Sequence, residues 1–460
     1  SILAYFEIRN DQRSKNKILN LTLSIIGLLL IGYSIFFLSD NMYHPSFYTL
    51  LPIIGVCLVI WFLNKDELIT KILSTKLFVN IGLISYSLYL WHYPIFAFAR
   101  TNDLFDSNTI YKIVFIIITI FLSIISYNFI EKPARNKKIK FYIILYQIFF
   151  AAILLVVANL LSINYKGFPN RVPDLLKDST NVYSLVNSEK EKCQDHPIGC
   201  LFNGSSNKKI FIIGDSHMSV LAYDLKDRVV SKSYQFNTFI VGACLFFPGF
   251  NSVDIITKKI TGCNNKYFSK LLEKLQKEKN SIIILGGRYP LYLSTNLFNN
   301  QEGGVEGSKY SIQLIPENDG DNIQFNFKSA IESISLKNYI ILVYPIPEVG
   351  WNLPRKIFSQ INKNLPSTGE HEIKKVTTSY EVFKKRNKSS YELLDSIKGN
   401  NIFRVYPHAL FCDTIIRGRC LTHDDENIFY VDDNHPSLKG AEMINDLIIK
   451  KIEKIELKFK

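Results

Sequence analysis

The chain has 460 residues, with 54 Lys/Arg against 41 Asp/Glu for a formal net charge of +13, and 47% of its residues are hydrophobic. That length accommodates two or three domains. The positive balance does not mark a nucleic-acid binder, because the basic clusters flank apolar segments instead of lining one face of a soluble domain.

The apolar residues are concentrated before about Ile163, and the remainder reads as an ordinary soluble domain. Residues 1–163 hold 14 Lys/Arg and 8 Asp/Glu, a net +6; the rest holds 40 and 33, a net +7. The chain opens on Ser1, and Ile2-Leu3-Ala4-Tyr5-Phe6 reads as the end of an interrupted apolar segment without signal-peptide organisation. A partial sequence is therefore expected.

Five stretches approach the roughly 20 apolar residues that a helix needs to cross a bilayer: 18–38, 46–63, 78–98, 111–130 and 141–163. Soluble core helices usually keep a polar stripe, so a multi-span helical membrane domain over 1–163 is expected. Basic residues then set its orientation. Arg9, Arg13, Lys15 and Lys17 precede the first span; Lys65, Lys71 and Lys76 follow the second; Lys132, Arg135, Lys137, Lys138 and Lys140 follow the fourth. The alternate loops offer only Arg100, with Lys112 at a helix edge. Basic loops stay cytoplasmic, so the fifth span delivers everything after Ile163 to the outer side.

The cysteines fit that topology. Cys57 lies in a span, whereas Cys193, Cys200, Cys244, Cys263, Cys412 and Cys420 fall in near pairs in the soluble part. An even count in an exported domain implies disulfides. Spacing leaves the connectivity open, and sequential pairing is the expectation. No CxxC or His-x-x-x-His spacing supports a metal.

Residues 164–207 read as a linker with a disulfide hairpin, and 208–460 as an α/β domain. Strands are expected at 209–213, 239–241, 282–285 and 339–343, with helices at 217–229, 265–278, 323–334, 371–397 and 437–455. That alternation predicts a mostly parallel sheet covered on both faces, an α/β/α architecture. The stretch 296–322 reads as a surface excursion, and His196 and His423 as surface residues.

The first strand runs into Gly214-Asp215-Ser216-His217. Sites in such sheets lie at the carboxyl ends of strands, and Ser216 at the start of the next helix has a backbone N–H free to face an oxyanion. The plainer reading makes Asp215 or Ser216 a helix cap. Near the other end, Asp432 and His435 form an Asp-x-x-His pair in Tyr430-Val431-Asp432-Asp433-Asn434-His435-Pro436-Ser437. One short loop thus supplies a base for the serine proton and a carboxylate to hold the base's tautomer.

These blocks resemble the SGNH hydrolase superfamily over roughly 208–455. The resemblance implies Ser216 as nucleophile, His435 as general base and Asp432 as its partner. It also implies an oxyanion donor at Gly242, in Val241-Gly242-Ala243-Cys244. The family's third block carries Gly-x-Asn-Asp, but here the strand ends Leu285-Gly286-Gly287-Arg288-Tyr289. Arg288 is the candidate substitute donor.

In the apolar part, Ser85, Tyr86, Tyr89, His92 and Pro94 match the Ser-Tyr-x-x-Tyr-x-x-His-x-Pro segment of acyltransferase family 3. Ser126-Tyr127-Asn128-Phe129-Ile130-Glu131-Lys132-Pro133-Ala134-Arg135 is similar to that family's closing helix. Bottom-up, His92 in a span serves either a cavity or the membrane edge, while Glu131 and Arg135 read as boundary anchors. The family's catalytic membrane histidine lies in a helix without counterpart here, and His92 belongs to a different motif.

Together the resemblances imply a bacterial surface-glycan O-acetyltransferase in the inner membrane, with its C-terminal domain in the periplasm. The acyl donor would be acetyl-CoA, used without a bound cofactor, and the acceptor a glycan such as lipopolysaccharide or another polysaccharide. The alternatives are a membrane-tethered carbohydrate acetylesterase and a non-catalytic glycan-binding module. The topology predicts that a reporter active only in the periplasm, fused after Lys460, is active, and that one active only in the cytoplasm is silent. The opposite pattern would overturn the orientation.

Overall fold

The computed structural model describes residues 14, 16–38, 46–64, 67–101, 109–136, 139–168, 172–180, 183–294, 296–307, 312–363 and 375–458. Arg9, Arg13, Lys15, Lys65, Lys137 and Lys138, used above for orientation, lie outside them. The chain divides into two compact units, Ser1–Ala158 and Asn159–Lys460.

In the first unit, helices occupy all five apolar stretches: α1 (Lys17–Phe37), α2 (Leu50–Phe62), α3 (Lys76–Thr101), α4 (Thr109–Ser126) and α5 (Phe141–Asn164). Among the described residues, three helices are long and apolar enough to cross a membrane by length and composition: Lys17–Phe37, Thr109–Ala134 and Phe141–Asn164. Phe47–Phe62 is apolar but shorter, and α3 is long but interspersed with Asn, Ser, Tyr and His. No residue of α5 is buried, so its Leu, Ile and Phe side chains face outward all round.

Close packing in this unit uses missing side chains. A Cβ on Gly27 would lie 2.7 Å from the Gly55 carbonyl oxygen, and one on Gly55 equally close to that of Gly27. Small residues of this kind let apolar helices approach backbone to backbone.

Past α4 the chain makes a π-helical turn, Tyr127–Glu131. Glu131 accepts from Ser87 Oγ at 3.0 Å and pairs with Arg135. The two sequence motifs of this unit therefore touch through Ser87. Ser85 Oγ donates to Gly82 O at 2.8 Å, and Pro94 lies inside α3. Tyr86 and Tyr89 are exposed, and the exposed His92 bonds Tyr89 O through Nδ1 at 2.6 Å.

In the second unit, six strands form one sheet: β1 (Cys200–Phe202), β2 (Lys209–Gly214), β3 (Gln235–Ile240), β5 (Ile282–Leu285), β7 (Tyr339–Val343) and β9 (Ile402–Val405). Their order is β1-β3-β2-β5-β7-β9. All pairs are parallel except β1 with β3 at one edge. Two small ribbons stand beside it, β4 (Phe250–Asp254) with β6 (Ile312–Pro316) and β8 (Thr377–Ser379) with β10 (Arg419–Leu421).

The continuous apolar strands split by the two-residue alternation of side chains. Ile210, Ile212, Ile282, Ile284, Ile341 and Val343 face one core, shared with α6 (Ser216–Val230), α10 (Leu353–Lys363) and α12 (Leu438–Glu456). Phe211, Ile213, Ile283, Leu285, Ile340 and Leu342 face the other. That core is covered by α7 (Asn265–Lys277), α8 (Tyr289–Ser294), α9 (Ile323–Ser335) and α11 (Tyr380–Ser396).

Several expectations need correction. The helix expected over 371–397 begins only at Tyr380, because Thr377–Ser379 pair with Arg419–Leu421; residues 371–374 lie outside the described ones. β3 is longer than expected, its polar Gln235, Asn237 and Thr238 having masked it. The stretch 296–322 is not simply surface: Asn300, Glu306 and Ile312 are buried. His423 is buried too, with Nε2 accepting from Val376 N at 3.0 Å and Nδ1 donating to Asp424 O at 2.6 Å. His196 is half-buried beside Glu191.

The outer cysteines pair sequentially as Cys193–Cys200, Cys244–Cys263 and Cys412–Cys420, leaving Cys57 free. Non-reducing peptide mapping is expected to yield these three cross-links. Replacing both Cys412 and Cys420 by Ser is expected to lower stability by about 2–4 kcal/mol, read as a drop in the melting temperature. Unchanged melting would show that this bridge constrains nothing.

Candidate active site

β2 ends at Gly214, whose φ of +154° and surroundings exclude a side chain: a Cβ there would lie 2.1 Å from Gly286 O and 2.5 Å from Met218 Cγ. The chain turns sharply and α6 starts at Ser216. Asp215 is the N-cap of α6, its Oδ1 accepting from His217 N at 3.0 Å. Its other oxygen accepts from Arg288 N at 2.7 Å and Tyr292 Oη at 3.3 Å. The buried Asp215 carboxylate thus joins the end of β2 to the loop after β5. The plainer reading of this turn is right for Asp215 and leaves Ser216 available for chemistry.

Ser216 Oγ lies 2.8 Å from His435 Nε2, and His435 Nδ1 lies 2.7 Å from Asp432 Oδ2. All three residues are half-buried. The second Asp432 oxygen accepts from the backbone N–H groups of Asn434 (2.9 Å) and His435 (2.7 Å), so the Asp-x-x-His spacing closes its own turn. That turn is held from outside by Val349 N and Gly350 N, both donating to Asp433 O at 2.9 Å. Ser437 then caps α12, accepting from Gly440 N at 3.1 Å.

His217, buried next to Ser216, donates from Nε2 to Asn434 Oδ1 at 2.9 Å. Its ring meets that of His435 edge to face at 5.1 Å. Burial pushes the His217 pKa down, and His435 and Arg288 add to this, so a neutral ring supports the Asp-x-x-His turn.

The electrostatics keep Asp432 ionised and make the His435 ring beside it more basic than an ordinary histidine. Burial pushes Asp432 up, but the His435 hydrogen bond and charge and two backbone N–H groups outweigh it and hold the pKa at about 2. Burial pushes His435 down, but its bond to Asp432 and the charges of Asp432 and Asp215 outweigh that, so its pKa lies above the ordinary histidine value. Neighbouring Asp433 is raised by burial and by the charges of Asp432 and Glu306.

Arg288, expected as a substitute oxyanion donor, is otherwise engaged. Its Nη1 and Nη2 donate to Glu306 at 2.7 Å each, and its Nε donates to Glu348 at 2.7 Å, where Nη2 also bonds. Four of the five guanidinium N–H groups are committed, leaving one for any other partner. The reason is burial: both glutamates and Arg288 are almost inaccessible, and a buried guanidinium must be paired. Arg386 adds a second cation on Glu348 at 3.2 Å. Removing one member of such a cluster typically costs about 3–5 kcal/mol.

Gly242, expected as the second oxyanion donor, gives its N–H to Asp195 Oδ1 at 2.6 Å. Both lie on a cavity of about 820 Å³ that also contains Ser216 and His435. Tyr183, Lys192 and Gln194, from the segment around the Cys193–Cys200 bridge, line it as well. Among the described residues no group of three or more His, Cys, Asp or Glu is placed to hold a metal ion.

Sequence reasoning missed Asp195, Glu306 and Glu348. The last two carried an indirect signal, because an Arg immediately after a buried strand requires carboxylate partners. Asp195 carried none, since its partner is a backbone N–H distant in sequence.

Residues 187–450, more than half of the chain, match the family described as SGNH domain (fused to AT3 domains). Over 139 residues the chain is 31% identical to O-acetyltransferase OatA of Staphylococcus aureus, a match covering 29% of this chain and 23% of that protein. The chain therefore spans less than a quarter of that relative's length. Among solved structures, it is similar to the periplasmic domain of a lipopolysaccharide acetyltransferase of Salmonella ser. Paratyphi A. That likeness has 17% identity and a TM-score of 0.37, over 56% of this chain and 90% of that one. A member of the lipolytic protein G-D-S-L family from Veillonella parvula aligns at 13% identity and a TM-score of 0.25, over 53% of this chain and 97% of that one.

If His435 must be neutral to accept the Ser216 proton, kcat/KM for an acyl ester rises with pH as His435 loses its proton, with a midpoint above the ordinary histidine value. Asp432→Asn removes the charge that raises this pKa. The variant should be slower, and its rise should come at lower pH. A pH–rate profile with an unshifted midpoint in Asp432→Asn would separate His435 from the reaction.

Proposed function

This chain belongs to the family of SGNH domains fused to AT3 domains, and from that premise we propose that it is an O-acyltransferase modifying a cell-surface glycan in the periplasm. The observation that carries the reading is the continuous hydrogen-bonded series from Ser216 Oγ through His435 to Asp432. The likeness to O-acetyltransferase OatA supports acetyl as the acyl group.

Ser216 Oγ attacks the acyl carbon of the donor, and its proton passes to His435 Nε2. The tetrahedral oxyanion lies against the N–H groups of Ser216 and Gly242. As it collapses, the bond to the leaving group breaks and His435 returns the proton to that group. A sugar hydroxyl then attacks the acyl-serine, giving its proton to His435, and Ser216 leaves with that proton as the sugar ester forms. Asp432 stays ionised and holds the imidazole throughout.

The membrane-type helices, with the Ser85–Pro94 and Glu131–Arg135 motifs, would belong to the part that brings acyl groups across from acetyl-CoA. The glycan would be a cell-surface one, lipopolysaccharide or another polysaccharide.

The test uses the 460-residue chain purified in detergent, with hydrolysis of 4-nitrophenyl acetate and acetyl transfer to glycan acceptors measured side by side. Ser216→Ala and His435→Ala should each lower turnover by roughly a thousandfold or more, and the double variant should be little worse, because the residues act as a unit. Transfer exceeding hydrolysis supports the transferase, hydrolysis alone the carbohydrate acetylesterase, and glycan affinity with neither reaction the binding module. Wild-type turnover in a folded Ser216→Ala variant would remove the serine from the mechanism.

A further inference from the structure

The Gly242 N–H that the proposed reaction needs is taken. Asp195 Oδ1 accepts from it at 2.6 Å, placing a carboxylate oxygen on the donor that a developing oxyanion would use. The two are chemical equivalents, each a negatively charged oxygen seeking the same backbone donor, and one N–H cannot serve both fully.

The carboxylate is delivered by a fixed backbone. Asp195 N donates to Ile240 O at 2.9 Å, at the end of β3, and Gln194 bridges to the same residue. The Cys193–Cys200 disulfide closes the loop around it. Asp195 itself has a φ of +64°, in the left-handed region where Asp is among the better-tolerated non-glycine residues. With its main chain held on two sides, only the side-chain torsions remain to move the carboxylate. Nothing else binds it strongly: among the described residues its other bond is to the Gln194 amide at 3.4 Å, and no cation pairs with it. The side chain is exposed on the cavity, within reach of an entering ligand.

We propose that Asp195 is a specificity-determining residue of acyl transfer: its carboxylate occupies the Gly242 donor in the empty site and releases it when the hydroxyls of a bound glycan take the carboxylate instead. This rests on the reading of Ser216 as nucleophile and Gly242 as oxyanion donor. An ionised carboxylate only accepts hydrogen bonds, so a polyhydroxy acceptor that displaces water from the cavity offers it matching donors. Small esters that bring no hydroxyls leave it in place, and the site spends little acyl donor on hydrolysis.

The test compares Asp195→Ala, Asp195→Asn and wild type in the detergent-purified chain, using 4-nitrophenyl acetate hydrolysis and thermal melting. Asp195→Ala should raise kcat roughly tenfold with KM unchanged, since the freed donor acts on the oxyanion and not on the ground-state ester, and the bond displaced is a charge-assisted one at an exposed site. Asp195→Asn keeps the shape and offers Gly242 a neutral oxygen, so it should gain less in the same direction. It carries the test if the Ala variant melts early. Adding Ser216→Ala to Asp195→Ala should abolish the gain. Folded Asp195 variants that hydrolyse no faster than wild type would overturn the proposal and make Asp195 a clamp of the hairpin. Turnover surviving Ser216→Ala would instead overturn the nucleophile reading.

Discussion

The Asp215 carboxylate is the constraint on which the candidate site depends. Buried at the end of β2, it accepts from the first turn of α6, from the Arg288 backbone and from Tyr292. An unpartnered carboxylate in that position would be costly to bury, so the turn that carries Ser216 and the loop after β5 have to close on it together. Gly287 makes the closure possible: its φ is +144°, and a Cβ there would lie 2.9 Å from the Asp215 carboxylate. From Arg288 the constraint continues through Glu348 to the loop whose Val349 and Gly350 N–H groups hold Asp433 O. The position of His435 over Ser216 is the far end of that series.

Charge is used in two different ways around this site. Arg288, Arg386, Glu306 and Glu348 are buried and mutually paired, an arrangement that fixes loops but leaves little donor capacity for a ligand. Asp432, Asp433 and Asp195 lie on the cavity and are not paired with Lys or Arg among the described residues. Asp432 raises the pKa of His435, and burial together with the charges of Asp432 and Glu306 raises that of Asp433. The sign of each shift follows from the balance between burial and the charged or hydrogen-bonding partners of the group.

The helical unit shows the same economy of polar groups. Polar side chains in apolar helices are expensive unless they find one another, and Ser87 finds Glu131 across 44 positions of sequence. The π-helical turn at Tyr127–Glu131 inserts a residue into the helix just before that contact, and such turns are frequent at functional positions. His92, despite its place in a motif, is exposed and bonds the Tyr89 carbonyl of its own helix.

Much of this protein could be read along the chain because the relevant physics is local. Short Ile-rich runs bounded by turn residues read as buried strands, Asp-x-x-His closes within one turn, and Cys residues seven, eight or nineteen positions apart are near in sequence. Those features marked the parallel sheet, the Asp432–His435 pair and the nearest-neighbour disulfides. Short strands escaped because their pairing is long-range: Thr377–Ser379 is extended only because Arg419–Leu421 lies beside it. Arg288 escaped because its role depends on two glutamates, 18 and 60 positions away, that meet it only in the folded core. The occupation of Gly242 by Asp195, 47 positions earlier, was likewise decided by tertiary structure alone, since a backbone N–H carries no mark in the sequence of what will bind it.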